Sequence, residues 1–461
     1  MITVVGMGMT AGDLTARGRE ALERAGKVFV RTAKTATGKT LEGLGIAYTS
    51  LDYLYEQAED FDALRRSIAD TLNGAGDCAY AVDGAGVDDP VLPLLKDHRV
   101  VAGVSLGVDA AARSGVLADR LLTVSAEDLA AERVWYPSDA TIVVTELDDQ
   151  LLAGEVKLKL LDVVGNVQGY LVAQGKVTPV MVEDLDRSKG YGADCAYVLP
   201  RLDYRDRERW GFEDLMKIVF RLRAPDGCEW DKIQTHRSIR DCCIEEAYEL
   251  VEAVDLDDVD KLKEESGDVT LQGVFHASMA EDSGEFSTYD MLSALCGKLL
   301  FRHPHVFGNV VANDPEAALA AWDAAKNKEK KYASYTDKMQ SVAPMPALMR
   351  AKKVQKIARK AHFDWDDPQG AYDKVGEELQ ELLAAKTPDE RVEEGGDLLF
   401  AAVNVLRMLD VEPELALLGA TRKFVDRFAK VEEAVRAQGK EMTDMSLAEL
   451  DAIWNEVKHK A

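Results

Sequence analysis

The sequence predicts an α/β amino-terminal domain over residues 1–205, followed by two all-α helical domains at 206–335 and 336–461. Three observations predict it. Short β-rich runs at 2–5, 78–82, 100–102 and 141–144 alternate with helical stretches at 14–25 and 61–72, the alternation of a largely parallel sheet. From Phe212 onward β-branched clusters thin out and helical periodicity takes over. One carboxylate pattern then occurs twice, as Glu245-Glu246-x-x-Glu249 with Glu265-x-x-Asp268 and as Glu377-Glu378-x-x-Glu381 with Glu394-x-x-Asp397. A chain of 461 residues has room for about three domains of ordinary size.

In the first domain the loops after strands are rich in glycine. Gly6-Met7-Gly8-Met9-Thr10-Ala11-Gly12-Asp13 follows a strand and precedes a helix, as a nucleotide-cradling loop does, although it is not a G-x-G-x-x-G match. Asp83-Gly84-Ala85-Gly86 and Gly103-Val104-Ser105 are further loops of this kind. Together they mark a cleft at the strand ends. The start of the chain lacks a basic segment and reads as a buried strand rather than a targeting signal.

Residues 201–210 form a charged, turn-like bridge to the first helical domain. There the pattern predicts paired helices over 239–254 and 259–280. Lys298-x-x-x-Arg302 and Trp322-x-x-x-Lys326 follow, with His303-Pro304-His305 between them read as a helix-ending turn. A polar bridge over 327–346 separates the second domain. Its first acid helix spans about 372–385, and Thr387-Pro388-Asp389-Glu390 opens the next with Thr as N-cap, Pro at the first helical position and Glu completing a capping box. So short a linker makes the two helices antiparallel neighbours. Lys423-x-x-x-Arg427 and Trp454-x-x-x-Lys458 complete the second copy. The offsets are 378 − 246 = 132 for the acids, 423 − 298 = 125 for the basic pair and 454 − 322 = 132 for the tryptophan. One ancestral unit copied in tandem explains them, with loop insertions between helices.

Helix positions three apart lie on one face, about 60° apart around the axis. Two adjacent helices therefore point Glu246, Glu249, Glu265 and Asp268 at one spot, and Glu378, Glu381, Glu394 and Asp397 at another. Four carboxylates converging on a partly desolvated site repel unless a cation sits among them. All-oxygen ligation suits a hard divalent ion, Mg²⁺ with Mn²⁺ as substitute. The i, i+4 pairs Lys298/Arg302 and Lys423/Arg427 suit an anionic phosphate. Trp322 and Trp454, each with a lysine one turn on (Lys326, Lys458), suit a stacking surface beside a phosphate-seeking cation.

A net charge of −26 argues against a general nucleic-acid binder. Apolar residues at 47% and charged residues at 30% describe a globular protein, and no run of 18 or more apolar residues predicts a membrane span. Six scattered cysteines without Cys-x-x-Cys spacing fit a reducing, cytoplasmic setting.

The helical region resembles the MazG nucleoside triphosphate pyrophosphohydrolases in their tandem form. The resemblance rests on Gly227-Cys228-x-Trp230-Asp231-x-x-Gln234-Thr235-His236, both acid clusters, Arg302-His303-Pro304-His305-Val306-Phe307 and Phe363-Asp364-Trp365. It implies an all-α, dimeric enzyme that cleaves NTPs or dNTPs between the α and β phosphates. It further implies that the eight acids are metal ligands and that Lys423, Arg427, Trp454, Lys458 and Asn404 contact the nucleotide. Glu245 or Glu377 would act as general base. Phe275 takes the place of Asn404 in the first copy, which favours the second as the nucleotide site, and Glu229 stands where the family has proline. Residues 1–205 resemble the tetrapyrrole methylase fold, which implies an S-adenosylmethionine site at Gly6, Gly8 and Asp83. Thr10 replaces that family's proline, and Ala102-Gly103-Val104-Ser105 replaces its Pro-Gly-Ile-Ser. Two alternatives remain at this point: a methyltransferase whose helical half only dimerises it, and a non-catalytic nucleotide sensor.

Overall fold

The computed structural model describes residues 1–132 and 139–460. Backbone contacts divide the chain into two compact units, Met1–Met291 and Leu292–Ala461, with the division falling inside the stretch read as the first helical domain.

The first unit opens with five strands: β1 (Ile2–Gly6), β2 (Val28–Val30), β3 (Thr49–Ser50), β4 (Cys78–Val82) and β5 (His98–Val101). They form one parallel sheet in the order β3-β2-β4-β1-β5, with Ile2 opposite both Cys78 and His98. β1 and β4 are buried along their whole length, and their unbroken apolar runs are what strands covered on both faces require. Val4, Ile68, Leu72 and Tyr80 build the core on one face; Val5, Leu22, Val30 and Leu41 build it on the other.

Five more strands, β6 (Leu121–Ser125), β7 (Thr141–Thr145), β8 (Gln168–Ala173), β9 (Lys176–Met181) and β10 (Ala196–Leu199), make a second sheet in the order β6-β7-β10-β8-β9. Here the expectation of a largely parallel sheet is corrected. Only β6–β7 is parallel; β7–β10, β10–β8 and β8–β9 are antiparallel. Gln174 and Gly175, both at positive φ, join β8 to β9 in the two-residue turn whose twist matches paired strands.

The glycine loops of the first sheet pack on one another. A Cβ on Gly6 would stand 2.3 Å from the Ala85 carbonyl oxygen, and one on Gly103 would stand 2.4 Å from the Gly6 oxygen. Only glycine permits so close a meeting of backbones. A cavity of about 990 Å³ opens beside these loops, lined by Met9, Arg31, Asp83, Glu146 and Asp148 among others.

Beyond residue 201 the chain is helical. The bridge at 201–210 is anchored by Arg207, whose buried guanidinium holds Asp214 at 3.0 Å and the Leu202 carbonyl at 3.0 Å. After the helix Phe212–Arg223 comes a helical hairpin, α1 (Cys242–Asp255) and α2 (Val259–Asp282). Asp257 takes a left-handed conformation between them, and Asp258 caps α2 by accepting from the Lys261 amide. α3 (Thr288–Arg302) follows.

The second unit contains α4 (Pro315–Lys330), α5 (Ala347–Lys360), α6 (Pro368–Ala384), α7 (Pro388–Met408), α8 (Pro413–Ala437) and α9 (Leu447–Lys460). The polar bridge at 327–346 holds a short helix of its own, Tyr335–Gln340. α7 begins as its sequence dictates: the Thr387 hydroxyl accepts from the Glu390 amide, and the Glu390 carboxylate accepts from the Thr387 amide. Among the described residues no helix is long and apolar enough to cross a membrane.

Candidate active site

Each hairpin brings its acids together. In the first, oxygens of Glu246 and Glu249 from α1 and of Glu265 from α2 lie within 4.8 Å of one another; in the second, Glu378 from α6 with Glu394 and Asp397 from α7 do the same. Asp268 and Glu381 lie outside these tight trios but act on them electrostatically. The Glu246 carboxyl is held above its usual range by burial and then by Asp268, Glu249 and Glu245, against a hydrogen bond from Gln272. Burial and Glu249 raise Glu265, opposed by Lys261. Glu394 is raised by burial and then by Glu381, Glu378 and Asp397. All eight acids therefore belong to two clusters, four to each.

The clusters are not copies in detail. Lys374 places its ammonium 2.6 Å from Glu378 and 2.9 Å from Glu377, and these two carboxylates drive its pKa upward. Sequence reasoning missed this lysine, although its i, i+4 spacing from Glu378 was visible. Glu378 is buried, and its second oxygen has no hydrogen-bond partner. An orphaned, buried carboxylate oxygen among repelling acids is what a divalent cation satisfies. The donors present fit a hard metal ion.

Asn404 is buried one helical stretch beyond Asp397 on α7. Its side-chain oxygen accepts from Arg407 Nε at 2.8 Å, and Arg407 in turn grips both oxygens of Asp364 at 2.8 and 2.7 Å. In the first hairpin Phe275 fills the corresponding place, buried beneath the Arg223 guanidinium at 5.5 Å.

The tryptophans differ as well. Trp322 already carries cations: Lys326 Nζ lies 4.6 Å from its ring and the Arg302 guanidinium 5.5 Å away, with Arg302 also paired to Glu329 at 2.7 Å. Trp454 instead packs against Phe424 at 5.2 Å and is half-buried. Lys298, Lys423 and Lys458 are exposed, and Arg427 is half-buried. His303 ends α3 with its ring nitrogen on the Leu299 carbonyl at 2.7 Å, in keeping with a structural turn.

In the first unit, Asp83 accepts from the Thr37 hydroxyl at 2.6 Å, and Gly8 pairs with Gly84 through backbone bonds in both directions. Gly8 stands at positive φ, where an added Cβ would meet the Asp13 side chain at 2.1 Å, so its bareness serves the packing of the loop itself.

Residues 234–307 match the MazG nucleotide pyrophosphohydrolase domain. The chain is 46% identical over 248 residues to the nucleoside triphosphate pyrophosphohydrolase/pyrophosphatase MazG of Thermotoga maritima, covering 54% of this chain and 95% of that protein. It is 34% identical to the uncharacterized protein YabN of Bacillus subtilis over 99% of this chain and 98% of that one. Among solved structures, uroporphyrin-III C-methyltransferase from Thermus thermophilus aligns with 43% of this chain and 94% of its own, at 20% identity and a TM-score of 0.34. With two acid-bearing hairpins, and with likeness to MazG of Thermotoga maritima running across nearly that whole protein, the chain belongs to the MazG family of nucleoside triphosphate pyrophosphohydrolases.

Proposed function

We propose that the chain hydrolyses nucleoside triphosphates, ribo- or deoxyribo-, between the α and β phosphates, and that the α6–α7 hairpin is the principal site. The carrying observation is the trio Glu378, Glu394 and Asp397 within 4.8 Å, with the orphaned Glu378 oxygen among them. These three, with Glu381, would hold Mg²⁺, or Mn²⁺ in its place. Such an ion supplies Lewis acidity, neutralising phosphate charge and acidifying water.

The chain's own residues do the rest. Glu377 is exposed beside Glu378 and suits a general base, taking the proton of the attacking water as the Pα–O–Pβ bridge breaks. Lys423 and Arg427 neutralise charge growing on the phosphates, and phosphoryl transfer is accelerated chiefly by such stabilisation. Trp454 with Lys458 flanks the base, and every base has a stacking face, so base selectivity is weak. Asn404, fixed by Arg407, contacts the nucleoside end. In the first copy of the repeat Glu245 is the counterpart of Glu377, and Lys298, Arg302, Trp322 and Lys326 are the sequence counterparts of Lys423, Arg427, Trp454 and Lys458. There Phe275 removes the amide, and Lys326 and Arg302 already sit against the ring of Trp322.

A mixed NTP/dNTP pool with Mg²⁺ should yield monophosphate and pyrophosphate in equal amounts, and a chelator should stop the reaction. Release of orthophosphate, or no release, overturns the reading.

We further infer a homodimer. Leu383, Val392 and Leu399 of α6 and α7 stand 72%, 76% and 60% exposed, apolar side chains that a second copy would cover in completing a four-helix bundle. Light scattering at micromolar concentration should give twice the mass of one chain; the mass of a single chain removes the inference.

A further inference from the structure

Beside the first acid cluster lies a second group of donors of different chemistry. Cys243 on α1 faces His276 and Gln272 on α2, with Sγ 3.5 Å from His276 Nε2 and 3.8 Å from Gln272 Oε1. On its far side His276 Nδ1 meets His236 Nδ1 at 2.8 Å, with the two rings stacked. The thiol has one proton for these two neighbours, and whether His276 Nε2 gives or takes a proton depends on its tautomer.

The spacings have a specific meaning. Zinc binds sulfur at about 2.3 Å, imidazole nitrogen at about 2.0–2.1 Å and oxygen at about 2.0–2.2 Å, so tetrahedral ligands to one ion stand about 3.6 Å apart. The observed 3.5 and 3.8 Å bracket that value. Between two Nδ1 atoms at 2.8 Å only one proton fits. With His276 as donor, its Nε2 presents a bare lone pair to the thiol, and His236 becomes the outer partner that ligating histidines usually have. Gln272 is oriented too, since its side chain is engaged with Glu246.

We propose that Cys243, His276 and Gln272 form a zinc site, separate from the hard-metal cluster, with water as the fourth ligand and His236 as its outer support. A thiolate–imidazole pair selects a softer ion than the all-carboxylate trio one turn away. The second hairpin has no counterpart to this site. With offsets of 132 for the first helix and 394 − 265 = 129 for the second, the equivalent positions there are Val375, Ala401 and Val405. Through Gln272 the ion would fix Glu246, tying a soft-metal signal to the first acid cluster only.

Cobalt reports such a site directly. Chelator-stripped full-length chain, titrated with Co²⁺ in excess Mg²⁺, should develop thiolate-to-cobalt charge-transfer absorption saturating at about one equivalent, displaced by Zn²⁺. Cys242→Ser should keep the band, whereas Cys243→Ser and His276→Ala should lose it while circular dichroism shows them folded. His236→Phe should weaken affinity by about 10–100-fold and keep the band's shape. No band in the native chain, or a band that survives Cys243→Ser, overturns the proposal. Should His276→Ala fail to fold, Cys243→Ser alone decides.

Discussion

Glu378→Gln is expected to lower pyrophosphate release by about 10²–10³-fold, the scale on which a lost transition-state stabiliser shows in turnover. The substitution keeps the size of the side chain and its place on α6 but removes the charge that a cation needs. It also removes the partner of Lys374, which stays paired to Glu377 at 2.9 Å. Glu265→Gln in the first hairpin should reduce the rate much less, which follows from the proposal that the α6–α7 hairpin is the principal site. Steady-state rates on the mixed pool measure both. Equal losses would assign turnover to both hairpins, and an undiminished rate in the double variant would remove the acids from the chemistry.

The largest stability effect should come from Arg407→Met. The Arg407 side chain is 1% exposed and that of Asp364 10%, with two bonds between them and a third to Asn404. Removing the arginine leaves the buried Asp364 carboxylate only the distant, largely exposed Arg359 at 4.0 Å, and breaking a buried pair from one side costs about 3–5 kcal/mol. Urea unfolding should show the transition of the Leu292–Ala461 unit shifted to lower denaturant, with turnover reduced as Asn404 loses its anchor. Asp364→Asn in the Arg407→Met background should restore part of the loss, since no unpaired charge then remains. A double variant as unstable as the single one would place the cost in packing rather than charge.

What was legible in the sequence was local. Thr387, Pro388 and Glu390 specify a helix start within four residues, and the structure builds it with those bonds. Spacing of three along one helix predicts that Glu378 and Glu381 share a face, and a short linker predicts that α7 folds back beside α6. Contacts across longer stretches of chain left no periodic trace. Cys243 meets His276 across 33 residues and His236 meets His276 across 40. Neither pair has a spacing that any regular element repeats. The antiparallel strands of the second sheet escaped for a similar reason. Buried runs such as Ile142–Val144 and Tyr197–Leu199 read alike in either pairing direction, and the Gln174-Gly175 turn is a weak signal without asparagine. Asn404 and Phe275 were legible as a difference; that Arg407 holds one and Arg223 covers the other was not.

Lys374 gives the two hairpins unlike responses to their surroundings. The α6–α7 acids keep an ammonium in residence, so a divalent ion arriving there exchanges for a charge already present, and the net gain is one unit rather than two. In the α1–α2 hairpin the equivalent position is Cys242 (374 − 132 = 242), and the ammonium that acts on its acids, Lys261, is paired to Glu252 at 2.7 Å rather than to Glu246. Loading of the first hairpin should therefore depend more steeply on background salt, because the charge it recruits is larger. One chain would then fill its two sites at different magnesium concentrations.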